Sequence, residues 1–141
     1  MKAVNEIRIR IPALSVNEGS CRALVGAFCA QADPNLEELA DIKCSVSEAV
    51  TNCIVHAYGG RGGMIYITVG LYEDRQIRIE IRDRGCGIAD VAAAMQPLFT
   101  TDRSGERSGM GFSVMENFMS RLSVYSTVGR GTRVVMWKKL S

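Results

Sequence analysis

Residues 45–58 read SVSEAVTNCIVHAY, Ser45 through Tyr58, and the rest of the chain is best understood outward from them. Leu39, Ile42, Val46, Val50, Cys53 and Ala57 recur at spacings of three and four. That rhythm predicts the buried stripe of one long helix starting near Leu36. Ser45, Glu48, Asn52 and His56 fall on a second stripe, rotated about 120° from the first at roughly 100° per residue. A polar stripe so placed flanks the core. A carboxylate and a carboxamide one turn apart beside a core can work on one bound molecule. The amide oxygen suits a hard cation, and the carboxylate can accept a proton. The same pattern also fits an ordinary solvated helix face, and this stretch alone leaves both open.

Upstream, Val4 to Ile11 alternates, with Ile7, Ile9 and Ile11 on one face and Arg8 and Arg10 on the other, which predicts a half-buried strand ended by Pro12. Ser15-Val16-Asn17-Glu18 has the capping-box pattern. A helix is expected from there to about Ala32, burying Val16, Leu24, Val25 and Phe28. Asp33-Pro34-Asn35 makes a loop and a new helix start. Downstream, Gly59 to Gly63 breaks the long helix. Met64 to Tyr72 and Ile77 to Arg82 alternate as two strands around the polar turn Glu73 to Gln76, and Asp83 stands at the end of the second. A short helix is expected between Ala89 and Met95. Pro97 to Gly111 is polar, glycine-bearing and without period, a candidate lid. Phe112 to Arg121 is helical, with Val114, Met115, Phe118 and Met119 available for packing. Leu122 to Thr127 and Thr132 to Trp137 are strands joined by Val128-Gly129-Arg130-Gly131. This order predicts an α+β fold: a two-layer sandwich whose mixed, mostly antiparallel sheet carries its helices on one face.

With 141 residues, one domain spanning 1–141 with a sizeable core is expected. The net charge of +2 is too small to argue for nucleic acid or an anionic membrane as the main partner. No apolar run approaches a membrane span, and the N-terminus has charges where a signal peptide needs an apolar run. The 5 cysteines are odd in number and include no C-x-x-C, so neither a disulfide framework nor a zinc knuckle is favoured. A reducing, cytoplasmic setting fits.

Three further motifs bear on chemistry. In Asp83-Arg84-Gly85-Cys86-Gly87, a carboxylate at a strand end could accept a hydrogen bond from an exocyclic amine, and the glycines would let backbone approach a flat ligand. Glycines at positive φ in a plain turn explain the same letters. In Ser104 to Phe112, glycine-rich backbone runs into a helix N-terminus, a ready phosphate site. It is not a Walker A loop, and Arg103 and Arg107 either assist it or are solvated. Gly131-Thr132 opens the last strand, where a hydroxyl could assist base recognition, though alone it is a common turn.

Taken in order, Glu48-x-x-x-Asn52, Asp83-x-Gly85-x-Gly87, Gly109-x-Gly111 and Gly131-Thr132 resemble the ATP-binding domain shared by gyrase, histidine kinases and mismatch-repair ATPases, the Bergerat fold. Pro97-Leu98-Phe99-Thr100-Thr101 is similar to the segment before the lid in histidine kinases. No phosphoacceptor helix pair precedes these motifs, and the only histidine is His56. The runs SEAVTN, DRGCGI, PLFTTD and ERSGMGFSVMENFM resemble the small serine kinases that double as anti-sigma factors, in their sporulation branch. The general stress-response branch is the nearest alternative. Complete-looking elements at both ends argue against an isolated ATPase fragment.

The resemblance implies ATP or ADP and Mg²⁺ as cofactors. It makes Glu48 the general base and Asn52 the Mg²⁺ ligand. Asp83 would read adenine, with Gly85 and Gly87 leaving room for it and Thr132 beside it. Gly109 and Gly111 would approach the phosphates, with Thr101, Arg107 and Ser108 as lid contacts. His56 is as well explained by helix packing as by a phosphate contact. The implied protein substrate is an anti-anti-sigma factor phosphorylated on serine. The implied second partner is a sigma factor held inactive by a kinase homodimer. Arg22 is a candidate partner contact, although an ordinary exposed arginine fits equally. A nucleotide-dependent binding module without useful catalysis is the competing reading.

Overall fold

The computed structural model describes residues 2–96 and 111–141. Thr101, Arg107, Ser108, Gly109 and all of the expected lid except Gly111 lie outside the described residues. Strands β1 (Asn5–Pro12), β2 (Met64–Tyr72), β3 (Gln76–Arg82), β4 (Arg121–Thr127) and β5 (Gly131–Lys139) form one sheet in the order β1-β2-β3-β5-β4. Every pairing is antiparallel, so the sheet expected to be mixed proves uniform. Helices α1 (Glu18–Cys29), α2 (Leu36–Thr51), α3 (Val91–Ala94) and α4 (Gly111–Phe118) complete the fold.

The alternation in β2 and β3 drives the layering. Ile65, Ile67, Val69, Ile77, Ile79 and Ile81 are buried against α1 and α2, while their even-numbered neighbours face outward. Helix α2 supplies Ile42, Val46, Ala49 and Val50 to that core, and α4 supplies Met115. Burying each such aliphatic side chain contributes about 1.5–3 kcal/mol relative to exposure, so the isoleucine rows dominate the packing.

The helix starts correct two expectations. Ser15–Asn17 is a 3₁₀ turn, and its neighbourhood shows no side-chain cap. Glu18 pairs with Arg22 at 3.0 Å instead of reaching back to close a capping box. Because α1 begins later, its buried face carries Cys21, Val25, Gly26 and Cys29. Phe28 is half-buried, while Val16 and Leu24 are exposed. A genuine capping box starts α2: Asn35 Oδ1 accepts from Glu38 N–H at 2.8 Å, and the Glu38 carboxylate accepts from Asn35 N–H at 2.9 Å. The five cysteines are free thiols. No helix among the described residues is long and apolar enough to cross a membrane.

Candidate functional site

The long helix is not α-helical throughout. After Thr51 the chain winds as a π-helix over Asn52–Ala57, where Tyr58 N–H reaches the Cys53 carbonyl, five residues back, at 3.0 Å. The wider turn overrides the expected stripe: Cys53 and Ile54 are both buried, whereas Ala57 is only half-buried. Such π segments recur at functional sites because they re-aim side chains within a helix. Ser45, expected beside the core, is fully inside it, and its Oγ has no hydrogen-bond partner among the described residues.

Glu48 and Asn52 meet the first residue of α4. A methyl group added at Gly111 would stand 3.2 Å from Glu48 Oε2 and 3.4 Å from each of Asn52 Oδ1 and Nδ2. Three of the residues singled out in the sequence thus converge. Both polar side chains are half-buried, flanking the core as their stripe implies. Glycine at 111 keeps the space between the helix start and these two groups open. Among the described residues, no group of three or more His, Cys, Asp or Glu side chains could hold a metal ion. A Mg²⁺ ion that takes most of its ligands from phosphates and water needs only one or two protein oxygens, which this pair can supply.

A second cluster forms around Asp83, 5% exposed. Its Oδ1 accepts from Gly85 N–H at 2.9 Å and from Thr132 N–H at 3.2 Å, while its own N–H donates to the Thr132 carbonyl at 2.9 Å. Burial pushes the carboxyl above its ordinary value, and the two backbone N–H groups and the Cys53 thiol pull it partly back. Burial, and next the Asp83 charge, push the Cys53 thiol well up. Cys53 directly follows Asn52, so the π segment touches both clusters. Its far end does so again: the Ala57 carbonyl accepts Cys86 N–H at 2.9 Å. His56, one π turn beyond Asn52, receives the Cys86 thiol at its carbonyl at 3.4 Å.

The loop glycines also make close backbone contacts that the sequence did not announce. A side chain at Gly85 would run into the Ala57 carbonyl, and one at Gly87, with φ +77°, into the Thr127 carbonyl. Gly131, at φ +125°, faces the Asp83 carbonyl in the same way. These glycines let three backbone segments pack together.

Two supporting residues escaped notice in the sequence. Tyr58 donates its hydroxyl to the Met64 carbonyl at 2.6 Å and accepts Arg84 N–H at 2.7 Å, bracing the loop against β2. Ser126 Oγ accepts Ile88 N–H at 2.7 Å and shares a hydrogen bond with Thr132 Oγ1 at 2.7 Å. Both are ordinary letters in sequence, and only their partners mark them. Arg22 lies apart on α1, where its guanidinium holds Glu18 and donates to Ser47 Oγ at 3.2 Å.

Residues 11–138 match the histidine kinase-like ATPase domain family. The chain is 52% identical over 138 residues to the anti-sigma F factor of Caldanaerobacter subterraneus subsp. tengcongensis, covering 98% of this chain and 96% of the relative. It is 45% identical to the anti-sigma F factor of Clostridium acetobutylicum, covering 97% of this chain and 95% of that one. Among solved structures, the RsbU and RsbW domains of Rv1364c from Mycobacterium tuberculosis superpose with a TM-score of 0.70 at 20% identity. That likeness spans 97% of this chain and 33% of the longer one and bears on the fold alone.

Proposed function

The chain belongs to the anti-sigma F factor family of histidine kinase-like ATPases, and from that premise we propose that it is an ATP-dependent protein-serine kinase that also sequesters a sporulation sigma factor. Its protein substrate is an anti-anti-sigma factor, modified on serine. The observation that carries this reading is the convergence of Glu48 and Asn52 on Gly111 at the start of α4. A pure binding module has no use for a carboxylate there.

Asp83 accepts a hydrogen bond from the adenine amino group through its second oxygen, since Oδ1 already receives Gly85 and Thr132. Gly111 and the N–H groups opening α4 face the phosphates. Asn52 would offer its amide oxygen to Mg²⁺, which, when bound, would neutralise charge on the phosphates. Glu48 takes the proton of the substrate serine as its oxygen bonds to the γ-phosphorus and the bond to the β-phosphate oxygen breaks, releasing ADP. Such transfer needs chiefly positioning and charge stabilisation, so this modest set of groups suffices. By the family resemblance Gly109 would approach the phosphates, Thr101, Arg107 and Ser108 would serve as lid contacts, and Arg22 would meet a protein partner. The working form is a homodimer in the cytoplasm.

The test is incubation with γ-labelled ATP, Mg²⁺ and an anti-anti-sigma protein, wild type beside Glu48→Gln. We expect label on a substrate serine with the wild type and a loss of about 100-fold or more in the variant, with ATP binding retained. Normal transfer by Glu48→Gln removes the base. Absent transfer by a wild type that binds ATP favours the binding module.

A further inference from the structure

Strand β4 changes character as it nears the Asp83 loop. Alternation puts Leu122, Val124 and Ser126 on one face, and register sets them opposite Met136, Val134 and Thr132 of β5. The first two pairs are apolar and pack into the core. The third is a serine against a threonine. Hydroxyl pairs of this kind bond across a sheet, and here Ser126 Oγ and Thr132 Oγ1 lie 2.7 Å apart. The polar pair falls where the sheet meets the loop. Thr132 N–H donates to Asp83 Oδ1 at 3.2 Å, and Gly129 N–H, in the β4–β5 turn, donates to the Cys86 carbonyl at 2.8 Å.

A serine hydroxyl has one hydrogen to give and two lone pairs with which to accept. Ser126 Oγ makes three contacts: it accepts Ile88 N–H at 2.7 Å, donates to the Gly131 carbonyl at 3.1 Å and meets Thr132 Oγ1. Its only hydrogen cannot go both to Gly131 and to Thr132. All three contacts are hydrogen bonds only if Ser126 gives that hydrogen to Gly131 and Thr132 gives its own to Ser126. Thr132 Oγ1 then has no hydrogen left and offers lone pairs alone. Beside it, the ionised Asp83 carboxylate also only accepts, and its Oδ1 is already taken by Gly85 and Thr132 N–H.

We propose that Ser126 is a positioning residue that sets base selectivity: by holding the Thr132 hydroxyl as an acceptor next to Asp83, it makes the site select a 6-amino purine over a 6-oxo purine. Two acceptors side by side can receive both hydrogens of one exocyclic amine. A 6-oxo group would present a third oxygen to them, with no hydrogen to share. A site built to bond a hydrogen rejects an analogue lacking it more strongly than it rejects a small change of size. Ser126 itself touches no ligand in this scheme. It acts through Thr132 and, through Ile88 N–H, steadies the loop that follows Asp83. The inference rests on the reading of Asp83 as the adenine acceptor.

The test is equilibrium binding of ATP and of inosine triphosphate to the full chain with Mg²⁺, well below its melting temperature. The two nucleotides share ribose and triphosphate and differ at the 6-position and the neighbouring ring nitrogen. Wild type should prefer ATP by about 100-fold or more. Ser126→Ala frees the Thr132 hydrogen to turn toward a 6-oxo group. It should cut the preference by about tenfold, chiefly by weakening ATP. Ser126→Thr, which restores a hydroxyl, should bring most of the preference back. A merely structural role would weaken both nucleotides alike and leave the ratio unmoved. If Ser126→Ala does not fold, Ser126→Cys carries the test, since it keeps the shape with a weaker hydrogen-bonding group, and should give a smaller cut in the same direction. A wild type without preference, an unchanged ratio in Ser126→Ala, or a lowered ratio that Ser126→Thr does not raise overturns the proposal. Asp83→Asn separates that failure from failure of the underlying reading. If Asp83→Asn loses ATP while Ser126→Ala keeps the ratio, the role of Ser126 alone falls. If Asp83→Asn binds ATP like wild type, the adenine reading falls and this inference with it.

Discussion

Ile79 and Glu80 are neighbours in β3 and belong to different worlds. Ile79 is 0% exposed among the isoleucines under the helices. Glu80 looks the other way, between Arg78 and Arg133, on a face that no helix among the described residues covers. On the inner face the driving force is area removed from water, and every methylene counts. On the outer face ions are partly screened by solvent, so each pair adds little to stability. Glu48, the proposed general base, belongs to the helical side.

The sharpest way to break this contrast is a matched pair of truncations. Ile79→Ala should cost about 2–5 kcal/mol in urea denaturation. Glu80→Ala should cost less than about 1 kcal/mol. Similar losses from both would mean that the outer ion pairs hold the sheet together. Next in size is Gly131→Ala, at the strand end where the two faces meet. It places a side chain at φ +125° and against the Asp83 carbonyl, and should cost about 1–3 kcal/mol by the same measurement. A neutral result would show that the β5 entry can shift, loosening the Asp83 cluster.

The smallest effect concerns Asp83 and is read as a slope. Burial raises its folded-state pKa above the unfolded value. The folded protein therefore holds the proton to higher pH, and the unfolded state binds fewer protons in that window. Stability of the nucleotide-free protein then falls as pH climbs from the ordinary carboxylate range through the folded value. Asp83→Asn keeps an acceptor for Gly85 and Thr132 N–H but has no charge to bury. Its melting temperature should decline less between about pH 4 and 7 than that of the wild type, while its ATP affinity drops. A parallel slope in both proteins would remove Asp83 as the source.

Much of this was legible in sequence because it depends on short-range periodicity. Alternating isoleucines in 65–71 and 77–81 place the strands and their inner face, since side chains on a strand alternate by necessity. The Glu48–Asn52 spacing places both groups on one side of one helix. Gly111 against them was recognisable only through the family resemblance. The capping box illustrates the limit: Ser15–Glu18 and Asn35–Glu38 both carry suitable letters, yet only the second closes, because Glu18 has Arg22 within reach.

Other features arose only in three dimensions. The π turn at Asn52–Ala57 contains neither glycine nor proline to announce it. It appears where the helix must deliver Cys53 toward Asp83 and the Ala57 carbonyl toward Cys86. The glycines at 85, 87 and 131 were expected from turn chemistry and ligand access, but their contacts are with backbone more than twenty-five residues away in sequence. The alignment of Arg10, Tyr66, Arg82, Arg133 and Tyr125 across neighbouring strands was invisible for a related reason. Its members are spread along most of the chain, and strand register alone aligns them. By itself the sequence determined what repeats locally: strand faces, helix stripes and the chemical kinds of the site residues. Tertiary packing decided which distant backbones and charges meet, because those meetings depend on register and closure and leave no periodic trace.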